Sequence, residues 1–314
     1  MATIEPEPDE VSQIPLKLSE DPNPYFIVTF SGHGLVKRTP RQLYQRQRRG
    51  GMGIFDLELP EEDIPTALSM VTETQSLIVF TNRARAFRLP VSLIPEASIR
   101  GKGQSLAVKF GLQPDERLVA ALPDQTQGAV AMVSEYGLVR YLRHHVFGEQ
   151  MKPGMLVFDS LKFGQLAAVC RTSGSDDLFI ATRQGKAIRF SEKLVPPQGG
   201  PGIRLEAGDA PVAIAAVQDE SQVFLAEANG RGTLRLMAGF APNKSAGGGG
   251  KLAMKTDELV GGIAVNRGAD IFMISRLSKI IRFMADEIPP KDSVVQGVNC
   301  MSLRADTVSA LTCT

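Results

Sequence analysis

The feature that most limits what this chain can fold into is that it repeats itself. Six segments open with a short apolar run: FIVTF at Phe26, LIVF at Leu77, AVAMV at Ala129, LFIAT at Leu178, VFLA at Val223 and IFMI at Ile271. Each run is rich in strand-forming side chains and too short for a helix, so each predicts a buried strand. After a turn, most repeats carry a small or apolar residue and then a cation: GLVK ending at Lys37, RAFR at Arg88, GLVR at Arg140, KAIR at Arg189, GTLR at Arg235 and KIIR at Arg282. The steps between these cations are 51, 52, 49, 46 and 47 residues. Every repeat therefore predicts a hairpin of two strands.

Two further markers keep the same step. A glycine follows a loop in each repeat, at Gly53, Gly103, Gly154, Gly202, Gly250 and Gly297. An acid precedes another apolar run at Asp63, Glu116, Asp209, Glu258 and Asp306, while the third repeat breaks this rule with LKFGQLAAV and Gly164. Four short strands with their turns fill a repeat of this length, and six such units arranged radially bury both faces of every sheet. The expected fold is all-β: a propeller-like disc of six four-stranded antiparallel blades, near 25–74, 75–125, 126–174, 175–219, 220–267 and 268–314. WD40 and Kelch blades fit poorly, since both are commonly marked by tryptophan and this chain has none.

Charge divides the 314-residue chain into two parts. Residues 1–24 hold six acids, one lysine and five prolines, a net of −5, and read as an extended, disordered leader. The chain's overall charge is +1, which leaves +6 on residues 25–314, the expected single folded domain. From residue 25 to 123 there are thirteen cations against nine acids, so binding of a polyanion is expected to be strongest near blades one and two.

Conventional chemistry finds no foothold. No apolar run approaches the roughly 18 residues of a membrane span, and the acidic N-terminus lacks the apolar core of a signal peptide. Cys170, Cys300 and Cys313 are far apart and read as buried or incidental thiols of a reducing cytoplasm. His33, His144 and His145 are the only histidines, and the adjacent pair, if on a strand, would point to opposite faces. NKSAGGGGKL at Asn243–Leu252 has serine where a phosphate-binding loop needs its first glycine and leucine where it needs a magnesium-binding hydroxyl, so it reads as a flexible interblade loop. No catalytic residue, cofactor or metal site is expected.

The densest cationic stretch is Gln45–Gly53, QRQRRGGMG, which with the residues back to Lys37 holds Lys37, Arg38, Arg41, Arg46, Arg48 and Arg49 and no acid. Its glycines exclude a helix interior. QRRGGMG resembles the signature heptapeptide of the DNA gyrase A C-terminal domain, Q-[RK]-R-G-G-[RK]-G, matching at six of seven positions; Met52 stands where the family has a cation. LIPEASIRGKGQSLAVKFGLQPDERLVAAL in the second repeat is similar to that family's second blade, and GLVKRTP at Gly34–Pro40 to its first hairpin.

The resemblance implies a six-bladed β-pinwheel, in which blades exchange strands, and a non-enzymatic domain that binds, bends and wraps duplex DNA without sequence preference. It implies that Gln47, Arg48, Arg49, Gly50, Gly51 and Gly53 close blade one and set the wrap. The tyrosine-bearing breakage domain of the family lies upstream of the matched region. Further DNA contacts are expected from Lys37, Arg38, Arg41, Arg46, Arg83, Arg85, Arg88, Arg100, Lys102, Arg140, Arg189, Arg235 and Arg282, the once-per-repeat cations falling at one radius around the disc. Expected partners are double-stranded DNA and gyrase or topoisomerase IV subunits, for a monomeric, cytoplasmic, nucleoid-associated domain with no membrane contact. The rival reading is a stand-alone protein-interaction propeller that binds topoisomerase subunits and wraps DNA weakly or not at all.

Overall fold

Each apolar run forms the first strand of a hairpin, and the residue that ends each hairpin turn has a left-handed backbone. The computed structural model describes residues 20–314; the leader expected over 1–24 therefore lies outside the described residues except for its last five. The turn residues are Gly34, Ala84, Gly137, Gly185, Gly230 and Ser278, with φ of +91°, +59°, +76°, +78°, +89° and +62°. Positive φ in so short a connection suits the right-handed twist of paired strands. Counting from this residue puts all six repeats in a common register.

A third strand of the same repeat pairs with the first. These strands are Pro65–Thr72, Leu118–Pro123, Leu166–Thr172, Pro211–Val217, Leu259–Val265 and Val308–Cys313. They stand innermost and together line a central channel of about 920 Å³. Burial in its wall pushes the Cys313 thiol up to about 11 and Cys170 higher still, so both remain protonated thiols.

The outermost strand comes from the following repeat. Gln104–Ser105 completes blade one, Met155–Leu156 blade two, Gly200–Pro201 blade three, Lys251–Leu252 blade four and Val298–Asn299 blade five. Ile54–Phe55 of the first repeat completes blade six, pairing with Ile280 and Lys279. The disc is a closed six-bladed β-pinwheel with strand exchange all the way round. Blade five carries one strand more than expected, Pro290–Lys291, which runs parallel to the hairpin's second strand.

The glycine before each exchanged strand lies against the preceding blade. At Gly53, with φ of +70°, an added Cβ would meet the Ile280 carbonyl oxygen at 2.7 Å. In the fourth repeat this position belongs to Gly199, φ +88°, rather than to Gly202, which instead packs on Val139. In three repeats the acid marker is a turn clamp. Asp63, Asp209 and Asp306 accept the amides of His33, Gln184 and Leu277 at 3.0, 3.0 and 3.1 Å, holding the hairpin turn to the inner strand. The third repeat reverses the polarity: Glu135 in the turn accepts the amide of Gln165 at 2.7 Å, which is why its inner strand needs no acid.

Six interblade cores replace one central core. Aromatic pairs bridge neighbouring blades edge-on without tryptophan: Phe272 meets Tyr44, Phe179 meets Phe240 and Phe80 meets Phe147, at 6.2, 5.2 and 5.8 Å. Such pairs contribute about 0.5–1.5 kcal/mol each beyond area burial. The seam between blades six and one is the thinnest, with seven buried apolar residues against ten to fifteen elsewhere. A buried polar cluster fills the difference. Lys37 donates to Asp56 Oδ1 at 2.5 Å and to its carbonyl at 2.7 Å, while Tyr44 and Thr29 hydroxyls donate to the same carboxylate at 2.6 and 2.9 Å.

Candidate nucleic-acid interface

Register decides which cations can meet a ligand, because successive side chains on a strand point to opposite faces. Arg38, Arg88, Arg189 and Arg282 lie four residues after the turn residue; Lys37 and Arg140 lie three after it and Arg235 five. The once-per-repeat cations therefore occupy three positions on two faces, not one radius as expected. Lys37, Arg38, Arg189, Arg235 and Arg282 are buried, at 6% exposure or less.

Several of these cations fasten blades together. The Arg282 guanidinium holds Asp270 at 2.5 Å and donates to the Tyr44 carbonyl of blade one at 3.1 Å. Arg189 repeats the device, with Asp177 at 2.8 Å and the Met237 carbonyl of blade five at 3.0 Å. Arg38 stacks over Phe26 and pairs with Glu73 at 3.0 Å. Burial draws the Lys37 ammonium below its ordinary value, against the pull of Asp56. Arg88 pairs with Asp124, and Arg140 donates to the Val157 carbonyl at 2.9 Å. Arg83 and Arg85 pair with Asp115 and Glu116 at 2.5 and 2.7 Å, on the side of the disc that carries the hairpin turns. Arg41 pairs with Glu20, which also holds Arg282 at 2.7 Å, so the end of the expected leader is docked on the blade six to blade one seam.

While exposed cations such as Lys109, Arg183, Arg231, Arg267, Arg276 and Arg304 lie elsewhere, others lie on the segment that leads into an exchanged strand. This segment hooks onto the outer edge of the preceding blade: the amides of Gln47, Ala97 and Asn243 donate to the carbonyls of Arg282, Arg38 and Arg189 at 2.8, 2.8 and 2.6 Å. The signature heptapeptide is one such segment, laid along the rim of blade six. Arg46 grips Asp270 at 2.8 and 3.1 Å. Arg49 donates to the Glu287 carbonyl at 3.0 Å and the Asn299 carbonyl at 3.3 Å, and Arg48, 38% exposed at its side chain, stands 3.9 Å from Glu287. Gln47 accepts the Gly53 amide at 3.3 Å, and the Gly50 amide donates to Cys300 at 2.8 Å while Gly51 accepts from Ser302 at 2.9 Å. Met52 is exposed.

Strand exchange moves the rim charge back by one blade. Exposed Arg100 and Lys102 of the second repeat lie on blade one, and Lys152 on blade two. Residues 195–199 put no charge on blade three, whereas Lys244 and Lys251 lie on blade four and Lys291 with Asp292 on blade five. Rim charge is therefore densest on blades four, six and one, not on one and two. Lys152, Lys244, Lys251 and Lys291 are absent from the residues read from sequence. Their signal was present, since each lies within six residues of a marker glycine, as the heptapeptide arginines do.

The excluded motifs have structural places. His144 and His145 sit on a 3-10 turn rather than a strand. Gly247 and Gly248 tie the glycine-rich loop to Gly202 and Arg204. Among the described residues no group of three His, Cys, Asp or Glu side chains could hold a metal ion.

Residues 25–64, 75–123 and 176–218 match the family model described as DNA gyrase C-terminal domain, beta-propeller. Those repeats are similar to the DNA gyrase A C-terminal domain. The chain is 29% identical over 284 residues to DNA gyrase A of Escherichia coli (strain K12), covering 87% of this chain and 32% of that protein. It is 26% identical over 296 residues to the Staphylococcus epidermidis gyrase A protein, covering 90% and 33%. It thus spans about a third of the length of the curated relatives it matches. The structure superposes on a solved DNA gyrase A C-terminal domain with a TM-score of 0.79, 19% identity and coverage of 91% of this chain and 98% of that one. For the C-terminal domain of DNA topoisomerase IV the values are 0.65, 21%, 95% and 94%. The likeness to the gyrase A domain is to a non-enzymatic accessory fold.

Proposed function

We propose that the chain binds duplex DNA without sequence preference and bends it along the rim, over an arc from blade four through blades five and six to blade one. The observation that carries this reading is the heptapeptide hooked on the outer edge of blade six, with exposed cations on the equivalent segments of its neighbours. A convex cationic rim favours bending because a curved duplex meets more side chains. Bending 20 to 30 base pairs by 40 to 90° costs roughly 1–6 kcal/mol, which several phosphate contacts offset. Among the described residues the α-helices are four residues long and none is placed for base readout, so contacts go to the backbone.

The test is the salt dependence of duplex affinity. About six phosphate contacts give a log-log slope near −5, and a slope near zero removes the electrostatic argument. The setting proposed is cytoplasmic and nucleoid-associated, with gyrase or topoisomerase IV subunits as protein partners. One observation favours the rival protein-interaction reading: Arg46 and Arg49 already hold Asp270, Glu287 and Asn299 within the disc. Partners that stay bound after nuclease treatment, together with a flat salt slope, select that reading.

A further inference from the structure

One buried cation has no carboxylate in ion-pair contact among the described residues. Lys37, Arg88, Arg189 and Arg282 each pair with a carboxylate. Arg235 is 3% exposed, has no carboxylate within 4 Å among the described residues, and leaves Nε and Nη1 without a hydrogen-bond partner. It stands where the other blades have Thr39, Leu89, Leu142, Phe190 and Phe283.

The surroundings add charge of the same sign. The Phe240 ring has the Arg235 guanidinium 5.7 Å from its centroid and the Lys251 ammonium 4.3 Å from it. Lys291 lies beside Arg235 across the parallel bridge, and Asp292 acts on the guanidinium only from longer range. At the blade six to blade one seam the exchanged segment supplies Asp56, two residues past the start of its strand, to Lys37, whose counterpart in blade five is Thr233, two residues before Arg235. Here that point is Ala253.

A buried cation without a partner is strongly unfavourable, and contact with an aromatic face returns only part of the loss. We propose that Arg235, with Lys251 and Lys291 at its mouth, forms an oxyanion site for a phosphate group on the rim between blades four and five. Nη2 is the guanidinium nitrogen outside the buried unpartnered set, so an oxyanion would meet Arg235 through that nitrogen and the flanking ammonium groups. The phosphate comes either from a duplex backbone, which rests on the DNA-binding reading and joins the blade four and blade six cations into one track, or from free phosphate.

The experiment compares thermal unfolding of the full chain in sodium phosphate and in sodium chloride at equal ionic strength and pH, for the wild type, Arg235→Leu and Lys251→Ala. Leucine already occupies this position in blades two and three, and Lys251 is exposed, so the second variant decides should the first fail to fold. The expected result is a phosphate-specific rise in Tm of roughly 2 °C in the wild type, lost in Arg235→Leu and reduced in Lys251→Ala. No phosphate-specific rise, or an equal rise in all three proteins, overturns the site. Duplex affinity across salt then separates the sources: a slope shallower by about one in Arg235→Leu assigns a backbone phosphate, and an unchanged slope with the Tm effect lost assigns free phosphate. A wild type with a steep slope but no phosphate effect on Tm leaves DNA binding standing and removes this site alone.

Discussion

At the scale of single residues, the buried ion pairs are fasteners whose removal is felt in stability. Lys37 and Asp56 are both fully buried at the thinnest seam of the disc. Replacing Asp56 by Asn leaves the ammonium without its counter-charge, and breaking such a pair costs about 3–5 kcal/mol; the expected readout is a lower denaturant midpoint with an unchanged slope. Glu20 gives the pH dependence. Burial alone would raise its carboxyl, but hydrogen bonds from Arg41 and Arg282 outweigh this and hold it below the usual 4.5. A carboxylate with a depressed folded value contributes stability above 4.5 and loses it as pH falls through that folded value. Glu20→Gln should therefore lower stability at neutral pH and make little difference once pH has fallen below the folded value, flattening the acid side of the profile, as read by denaturant midpoints across pH.

Among the elements, the exchanged segment does two jobs at once. Its short strand completes a neighbouring blade, and its hook presents whatever charge the segment carries. The heptapeptide combines both, since Arg49 and Gly50 tie it to blade six and to the turn at Cys300. Replacing Arg48 and Arg49 together by alanine should reduce DNA bending, measured by end-to-end energy transfer on a labelled duplex, more than it reduces binding. Equal curvature in wild type and variant would show that the heptapeptide sets no path.

For the whole molecule, uneven rim charge predicts an uneven footprint. Arg100→Ala with Lys102→Ala removes two exposed cations from the proposed arc and should make the salt slope of duplex binding shallower by about two. Arg143→Ala with Lys152→Ala removes two exposed cations outside it and should leave the slope nearly unchanged. Much of this architecture was legible in the chain, because the apolar runs and the post-loop glycines recur at nearly one step and the acids do so in five of six repeats. Strand exchange was legible only through the family resemblance, since a two-residue strand such as Ile54–Phe55 has no periodicity of its own and pairs with a strand more than two hundred residues away. The burial of the repeat cations was not legible. Spacings of 46 to 52 residues tolerate a slip of one, and a slip of one, as between Leu234 and Arg235, turns a side chain to the other face.

The loan of Ile54–Phe55 to the last blade has a consequence for biosynthesis. Each of the first five blades is finished as soon as the next repeat leaves the ribosome. The sixth needs a piece made in the first repeat, which waits with unpaired amides until the sixth repeat has emerged. Closure is then a late encounter between distant parts of one polymer, slow for its size.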